Sequence, residues 1–179
     1  MLAEYFDEGF KYLAYIGIIL SMASVVLKVF AYYYLSRFLV ELIIFNNISD
    51  AKSYALIIVG LLVGGITLYG VAGLVTHILG FRLETNLRKY GIRGLSKASF
   101  SFFDTHPSGK TRKIIDDNAS QTHMIVAHLI PDNAGAILMP ILLLILGFCV
   151  SLKVGIVLIC LCVVGGISLS MMAGEKEFM

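Results

Sequence analysis

The chain has 179 residues, 58% of them apolar and 15% charged, with a mean hydropathy of +0.87; a soluble domain has about 45–50% apolar and about 25% charged residues. The charges are also segregated: residues 53–81, 133–152 and 154–174 form charge-free runs of 29, 20 and 21 residues. This composition excludes a secreted enzyme, a soluble Rossmann domain and a nucleic-acid-binding module, and points to an all-α membrane protein of four transmembrane helices.

The first predicted span covers about 12–38. Residues 12–36 carry only one charge, Lys28, and such a run crosses about 30 Å of hydrocarbon at about 1.5 Å rise per residue. Tyr32, Tyr33 and Tyr34, followed by Arg37, have the composition of an interfacial belt with a snorkelling cation. Lys28 lies about two turns from that end. Its ammonium either snorkels or pairs internally, or it faces a wet cavity, and it is kept as a cavity-facing candidate. Glu4, Asp7 and Glu8 stand where a secretory leader would be basic, so this span is expected to be retained.

The second span opens at about residue 53 and contains Gly60, Gly64, Gly65, Gly70 and Gly73, small residues that let helix backbones approach in lipid. His77, near its inner end, is the second cavity-facing candidate, with helix-end packing as the alternative. Beyond Phe81 the hydrophobicity falls but the helical period persists. Leu83, Leu87, Tyr90, Gly94, Leu95 and Ala98 keep one stripe, while Arg82, Lys89, Arg93 and Lys97 run down another. Glu84 and Arg88 add an i,i+4 pair. One helix over about 53–99 would be roughly 70 Å long, so its last turns must leave the bilayer. An amphipathic helix lying along the headgroups after a bend near Gly80 is the alternative.

Phe102-Phe103-Asp104-Thr105-His106-Pro107-Ser108-Gly109 then turns the chain. A short polar helix with Ile114 and Ile115 at its apolar tip is expected over 109–116. A third helix follows over about 117–152, including its own extension past Met124, Ala127, Ile130 and Pro131, and a fourth over about 154–174. Two long helices joined below the membrane by a crosswise piece form a lever for something cytoplasmic to press on.

Charge placement sets the orientation. Eight of the 14 Lys and Arg lie between Arg82 and Lys113, so that segment is read as cytoplasmic with both termini inside. Cys149, Cys160 and Cys162 fall in apolar spans and are read as small hydrophobes, with no metal site and no disulfide. Asn47-Ile48-Ser49 matches a glycosylation pattern too close to a span to carry weight. Ser108-Gly109-Lys110-Thr111 mimics the end of a phosphate-binding loop. The motif needs Gly five positions before Gly109, where Asp104 stands, so this chain by itself is expected neither to bind nor to hydrolyse ATP and has no catalytic residue.

In their order, the long second helix with Leu87-Arg88, Phe102-Phe103-Asp104, Pro107-Ser108-Gly109, Ile114-Ile115-Asp116-Asp117 and Pro131 resemble the transmembrane domain of ABC transporters of the type I exporter class. The resemblance covers nearly the whole chain. It implies a cytoplasmic loop, 100–120, whose coupling helix docks on a nucleotide-binding domain, with Phe103, Asp104, Gly109, Arg112, Ile114, Ile115 and Asp116 as the coupling residues. It also implies alternating access in the plasma membrane, pairing with a second transmembrane domain as a homo- or heterodimer, and ATP and Mg held by the nucleotide-binding domain. Family members often carry Asp nine residues after the motif glycine, where this chain has Asn118. The family domain has six helices followed by an ATPase, so the chain is expected to be truncated after its fourth helix. The rival reading is a four-helix scaffold or assembly subunit that binds anionic lipid through its basic loop. A membrane-embedded enzyme is a weaker third reading: no Ser–His pair or facing carboxylates stand in a span, and adjacent Asp116 and Asp117 point about 100° apart on a helix.

Overall fold

A computed structural model describes residues 11–175, and every regular element among them is a helix. The elements are α1 (Lys11–Ile43), α2 (Ile48–Ser96), α3 (Phe100–Thr105), α4 (Ser108–Met124), a π-helical turn (Ile125–Leu129), α5 (Ile130–Val150) and α6 (Leu152–Glu175). Readings that rest on Glu4, Asp7, Glu8 and residues 176–179, including the placement of both termini, lie outside the described residues.

Three helices among the described residues are long and apolar enough to cross a membrane: Lys11–Ile43, Ile48–Ser96 and Ser108–Val150, the last taken through its π turn. In α6 the apolar stretch is the shorter Leu152–Ser168. The glycines of α2 do not interrupt it, because in hydrocarbon an opened backbone group has no water to turn to. Its 49 residues span about 73 Å.

The ends of the elements differ from the sequence expectation where local polar chemistry decides them. α1 runs on past residue 38 to Ile43, there being no breaker in Leu39-Val40-Glu41-Leu42. Asn46 then takes a left-handed φ of 49°, and the Asn47 N–H returns to the Glu41 carbonyl at 2.9 Å. Asn47 also caps α2, which therefore starts at Ile48 and not near 53: its Oδ1 accepts the Asp50 N–H at 3.3 Å and its Nδ2 donates to Asp50 Oδ2 at 2.7 Å. The glycosylation-like tripeptide is thus a helix cap. At Ser151 the chain breaks for a single residue between α5 and α6, and Ser151 Oγ accepts the Lys153 N–H at 3.3 Å.

The chain forms two compact units. Among the described residues, one comprises 11–24 together with Ile66–Gly135, the other Val25–Gly65 together with 136–175. The core of the first is made of small and medium side chains, Ser21, Ala72, Thr76, Leu79, Leu83, Ala119 and Ala127. Gly17 belongs to it, since a Cβ there would stand 2.6 Å from Thr76 Cγ2. In the second unit Gly147 and Gly155 bring α5 and α6 together: a Cβ on Gly147 would meet Leu158 at 2.5 Å and the Gly155 backbone at 3.6 Å. Gly64 faces Leu27, while Gly60, Gly70, Gly73, Gly165 and Gly166 face open space. An apolar recess of about 510 Å³ lies between Val26, Val29, Phe30 and Tyr33 of α1 and Leu142, Ile145, Leu146 and Cys149 of α5. Large apolar side chains such as Leu56, Ile66, Leu74 and Leu161 point outward, the reverse of a water-soluble core.

Candidate functional site

The part of α2 from Ile66 onward, with α3, α4 and the chain up to Gly135, lies in the first unit, and the register of this hairpin can be followed contact by contact. From the tip inward, Gly91 faces Ile115, Arg88 faces Asp116, Glu84 faces Ser120 and His123, Gly80 faces His123, Thr76 faces Ala127 and Tyr69 faces Asp132. Two glycines make the approach close. A Cβ on Gly91 would stand 2.7 Å from Ile115 Cγ2, and one on Gly80 would stand 3.2 Å from the His123 carbonyl oxygen.

Between these glycines the hairpin is held by a polar cluster centred on Glu84. One carboxylate oxygen pairs with Arg88 at 2.8 Å and accepts the Ser120 hydroxyl at 3.0 Å, and the other stands 3.2 Å from His123 Nδ1. Arg88 donates to Ser120 Oγ at 3.1 Å and reaches Asp116 at 3.3 Å, which Arg112 approaches from the outer side at 3.7 Å. Arg88 Nε and His123 Nδ1 are at ion-pair distance from their carboxylates without the alignment of a hydrogen bond. The glutamate is only 9% exposed, so its charge is screened far less than one on an open surface. His123 also lies against Phe81, with ring centroids 4.2 Å apart, and against His77 at 5.5 Å; His77 in turn meets His128 edge-on at 5.0 Å. Among the described residues no group of three His, Cys, Asp or Glu is arranged to hold a metal ion.

Below this cluster the second rod carries a backbone fault that its neighbours repair. Pro131 has no N–H, so the Ala127 carbonyl four residues earlier lacks its helical donor, and the turn over Ile125–Leu129 relaxes to π geometry. Thr76 Oγ1 from α2 donates to that carbonyl at 2.8 Å. Ser21 Oγ from α1 donates to the Pro131 carbonyl at 2.6 Å. Both hydroxyls are fully buried, so each joins two elements where water cannot compete.

The element joining the two rods is the six-residue α3, followed at once by Pro107. Residues 109–116, expected as a separate crosswise helix, are instead the first half of α4, which runs unbroken from Ser108 to Met124 because no breaker separates Asp116 from Met124. Phe102 stacks on His106 with centroids 4.5 Å apart, and Phe103 packs edge-on to Phe102 at 5.4 Å. Asp104 and Gly109 are exposed at the turn, and Arg112 and Ile114 are exposed on α4. Ile115 is half-buried against Gly91, and half-buried Asp116 belongs to the Glu84–Arg88 cluster. The structure thus separates Ile114 from Ile115: one faces outward and the other zips the hairpin. Phe100, 94% exposed at the start of α3, was not singled out by the sequence reading. Its signal was an aromatic residue just after the small polar run that ends the long helix. His77 is half-buried and joins the histidine contacts, whereas Lys28 is half-buried on α1 in the other unit. Ser108-Gly109-Lys110-Thr111 forms the first turn of α4 and follows a helix, where a phosphate-binding loop would follow a strand.

Comparison with known proteins bears on this architecture directly. The family model for the ABC transporter transmembrane region matches residues 14–173. The mycobactin import ATP-binding/permease protein IrtA of Mycobacterium tuberculosis is 31% identical over 100 residues, 56% of this chain and 12% of that protein. IrtA of Mycolicibacterium smegmatis is 24% identical over 82 residues, 46% of this chain and 10% of that protein. The matched segments are thus a small part of the length of these curated relatives. No solved structure gave a significant match.

Proposed function

Because the chain belongs to the ABC transporter transmembrane-region family, we propose that it forms part of the translocation pathway of an ATP-driven transporter and receives motion from a nucleotide-binding domain through residues 100–120. The observation that carries this reading is the zipped hairpin: two rods locked by Gly91–Ile115 and by the Glu84 cluster, ending in a six-residue helix with Phe100 outward. A partner that presses on that tip moves both rods together, because separating them would uncover Glu84 and Arg88.

The docking contacts on this reading are Phe100, Phe103, Asp104, Gly109 and Ile114, with Arg112 at the rim, while Ile115 and Asp116 keep the rods in register. The basic loop faces the cytoplasm, as its Lys and Arg content favours, and the chain pairs with a second transmembrane domain in the plasma membrane. ATP and Mg belong to the nucleotide-binding domain, and this chain supplies none of the hydrolytic chemistry. Energy enters as a difference in the docking contacts between two states of the transporter. The resemblance read from the motifs is to the exporter class, whereas both relatives are named for import. The proposal therefore concerns coupling, and a vesicle flux assay reads the direction.

The test replaces Phe100 by Asp in the assembled transporter. Membrane insertion is expected to be unchanged and cargo-stimulated ATPase activity to fall several-fold, with Ile114→Asp acting in the same direction. Normal stimulation in the Phe100→Asp, Ile114→Asp double variant would overturn the docking assignment. Salt-sensitive binding of the basic loop to anionic lipid, with normal stimulation, would favour the scaffold reading.

A further inference from the structure

The apolar recess between α1 and α5 lies wholly within the second unit, and the charges nearest to it set its depth in the bilayer. On α1 it runs from Val26 to Tyr33, and the next charged residue along the chain is Arg37; on α5 it runs from Leu142 to Cys149, and the next is Lys153. Lys28 lies within that stretch of α1 but does not line the recess. As the first and third of successive spans, α1 and α5 cross the bilayer in the same sense, so Tyr33 and Cys149 mark the same end. Along each helix the recess covers about 10 Å of rise, and each cation comes about one turn beyond that end. The recess therefore occupies the hydrocarbon of one leaflet, about 15 Å thick, with two cations at its headgroup end.

The lining is aliphatic and aromatic, with only the Tyr33 phenol and the Cys149 thiol carrying a polar atom. Its volume of about 510 Å³ falls within the range of about 300–1,000 Å³ usual for ligand pockets. Val26, Phe30, Tyr33 and Ile145 are each still exposed, so the recess opens sideways to the surroundings of the helices. Water finds no partners on such walls, and a void forfeits the dispersion contacts of its lining, so at this depth the filler is an alkyl chain. Arg37 follows Tyr33 by four residues, hence on the same face of α1, and both Arg37 and Lys153 are exposed. Among the described residues no carboxylate stands at ion-pair distance from either cation, including Glu41 one turn beyond Arg37. An apolar slot ending beneath two such cations suits an amphiphile with a negative head: the tail takes the slot and the head meets the charges at the interface.

We propose that this recess holds one acyl chain of an anionic phospholipid from the surrounding bilayer, whose headgroup is bound by Arg37 and Lys153. The inference rests on the chain crossing the bilayer; the docking tip and the basic segment 82–113 take no part in it. The test is photolabelling of the complete, nucleotide-free transporter in phosphatidylcholine nanodiscs. The probe is phosphatidylglycerol with a diazirine in one acyl chain, the control is phosphatidylcholine with the same chain, and labelled peptides are mapped by mass spectrometry. Label from the probe is expected on 26–33 and 142–149, several-fold above the control, and displaced by unlabelled phosphatidylglycerol but not by added phosphatidylcholine. Ile145→Trp, which fills the slot, should lower this label several-fold. Arg37→Gln with Lys153→Gln should bring it down to the control level, whereas Arg37→Lys with Lys153→Arg should keep the preference. Equal label from the two lipids in wild type would reduce the recess to ordinary lipid contact, and absence of label would mean that a further helix of the assembly covers it; either overturns the proposal. So would label undiminished by Ile145→Trp, or a preference that survives in the glutamine variant. Because labelling is read without nucleotide, failure here leaves the docking reading standing, and normal stimulation in the Phe100 variant would leave this site standing.

Discussion

Thr76 shows how a single hydroxyl can serve two helices. Its proton meets the carbonyl that Pro131 strips of a donor, and its methyl fills the space left by Gly17. Thr76→Val keeps the shape and removes the donor, leaving a buried acceptor unpaired at a cost of about 1–2 kcal/mol. The thermal midpoint followed by circular dichroism in detergent should fall accordingly; an unchanged midpoint would mean that the Ala127 carbonyl finds another donor. Gly17→Val should cost at least as much, because its branches meet Thr76 Cγ2 where even a Cβ would stand at 2.6 Å. At this scale the sequence was informative about residue type and silent about partners. Pro131 could be read as a fault in the helix, but naming Thr76 as its repair requires the register of one rod on another, which composition does not contain. Ile114 and Ile115 make the same point. Adjacent residues on a helix diverge by about 100°, so the apolar pair could be located but not divided into a docking residue and a packing residue.

Among the elements, the hairpin depends on a steric match as much as on charge. Gly91→Ala should push Ile115 outward and loosen the rods near the tip, and Ile115→Ala in the same chain should restore them, because the smaller side chain vacates the space the new methyl needs. Protease cutting within 97–107, measured for each single variant and the double, should rise in Gly91→Ala and return toward wild type in the double. Similar cutting in all three would show that this contact does not hold the tip. Glu84→Gln removes the charge that faces both Arg88 and His123, and the same cutting assay should show a larger opening than Gly91→Ala, since Arg88 would be left with only Asp116 as its carboxylate. The rods themselves were legible from uninterrupted helical period through and beyond a charge-free run. Their ends were less so, because Asn47 capping on Asp50, the positive φ of Asn46 and the one-residue break at Ser151 are decided by local hydrogen bonds. The crosswise element was expected at 109–116 from the turn glycine. Instead a six-residue helix, Phe100–Thr105, precedes Pro107, which fits the residue just before a helix, so α4 begins at Ser108.

For the whole molecule, the outward Leu, Ile and Val side chains of a helical chain are a surface for lipid and for further helices, and the family match over 14–173 fits that composition. Membrane class and the long apolar helices could be read from segregation of charge. The central claim is that the tip of the hairpin meets an ATPase domain in the cytoplasm. Its most direct test is a cysteine at Phe100, with Cys149, Cys160 and Cys162 replaced by Ser, reacted in sealed membranes of known orientation. The cysteine should be modified only from the cytoplasmic face, become protected when the nucleotide-binding domain is present, and cross-link to that domain. Modification from the external face, or labelling indifferent to the domain, would contradict the claim.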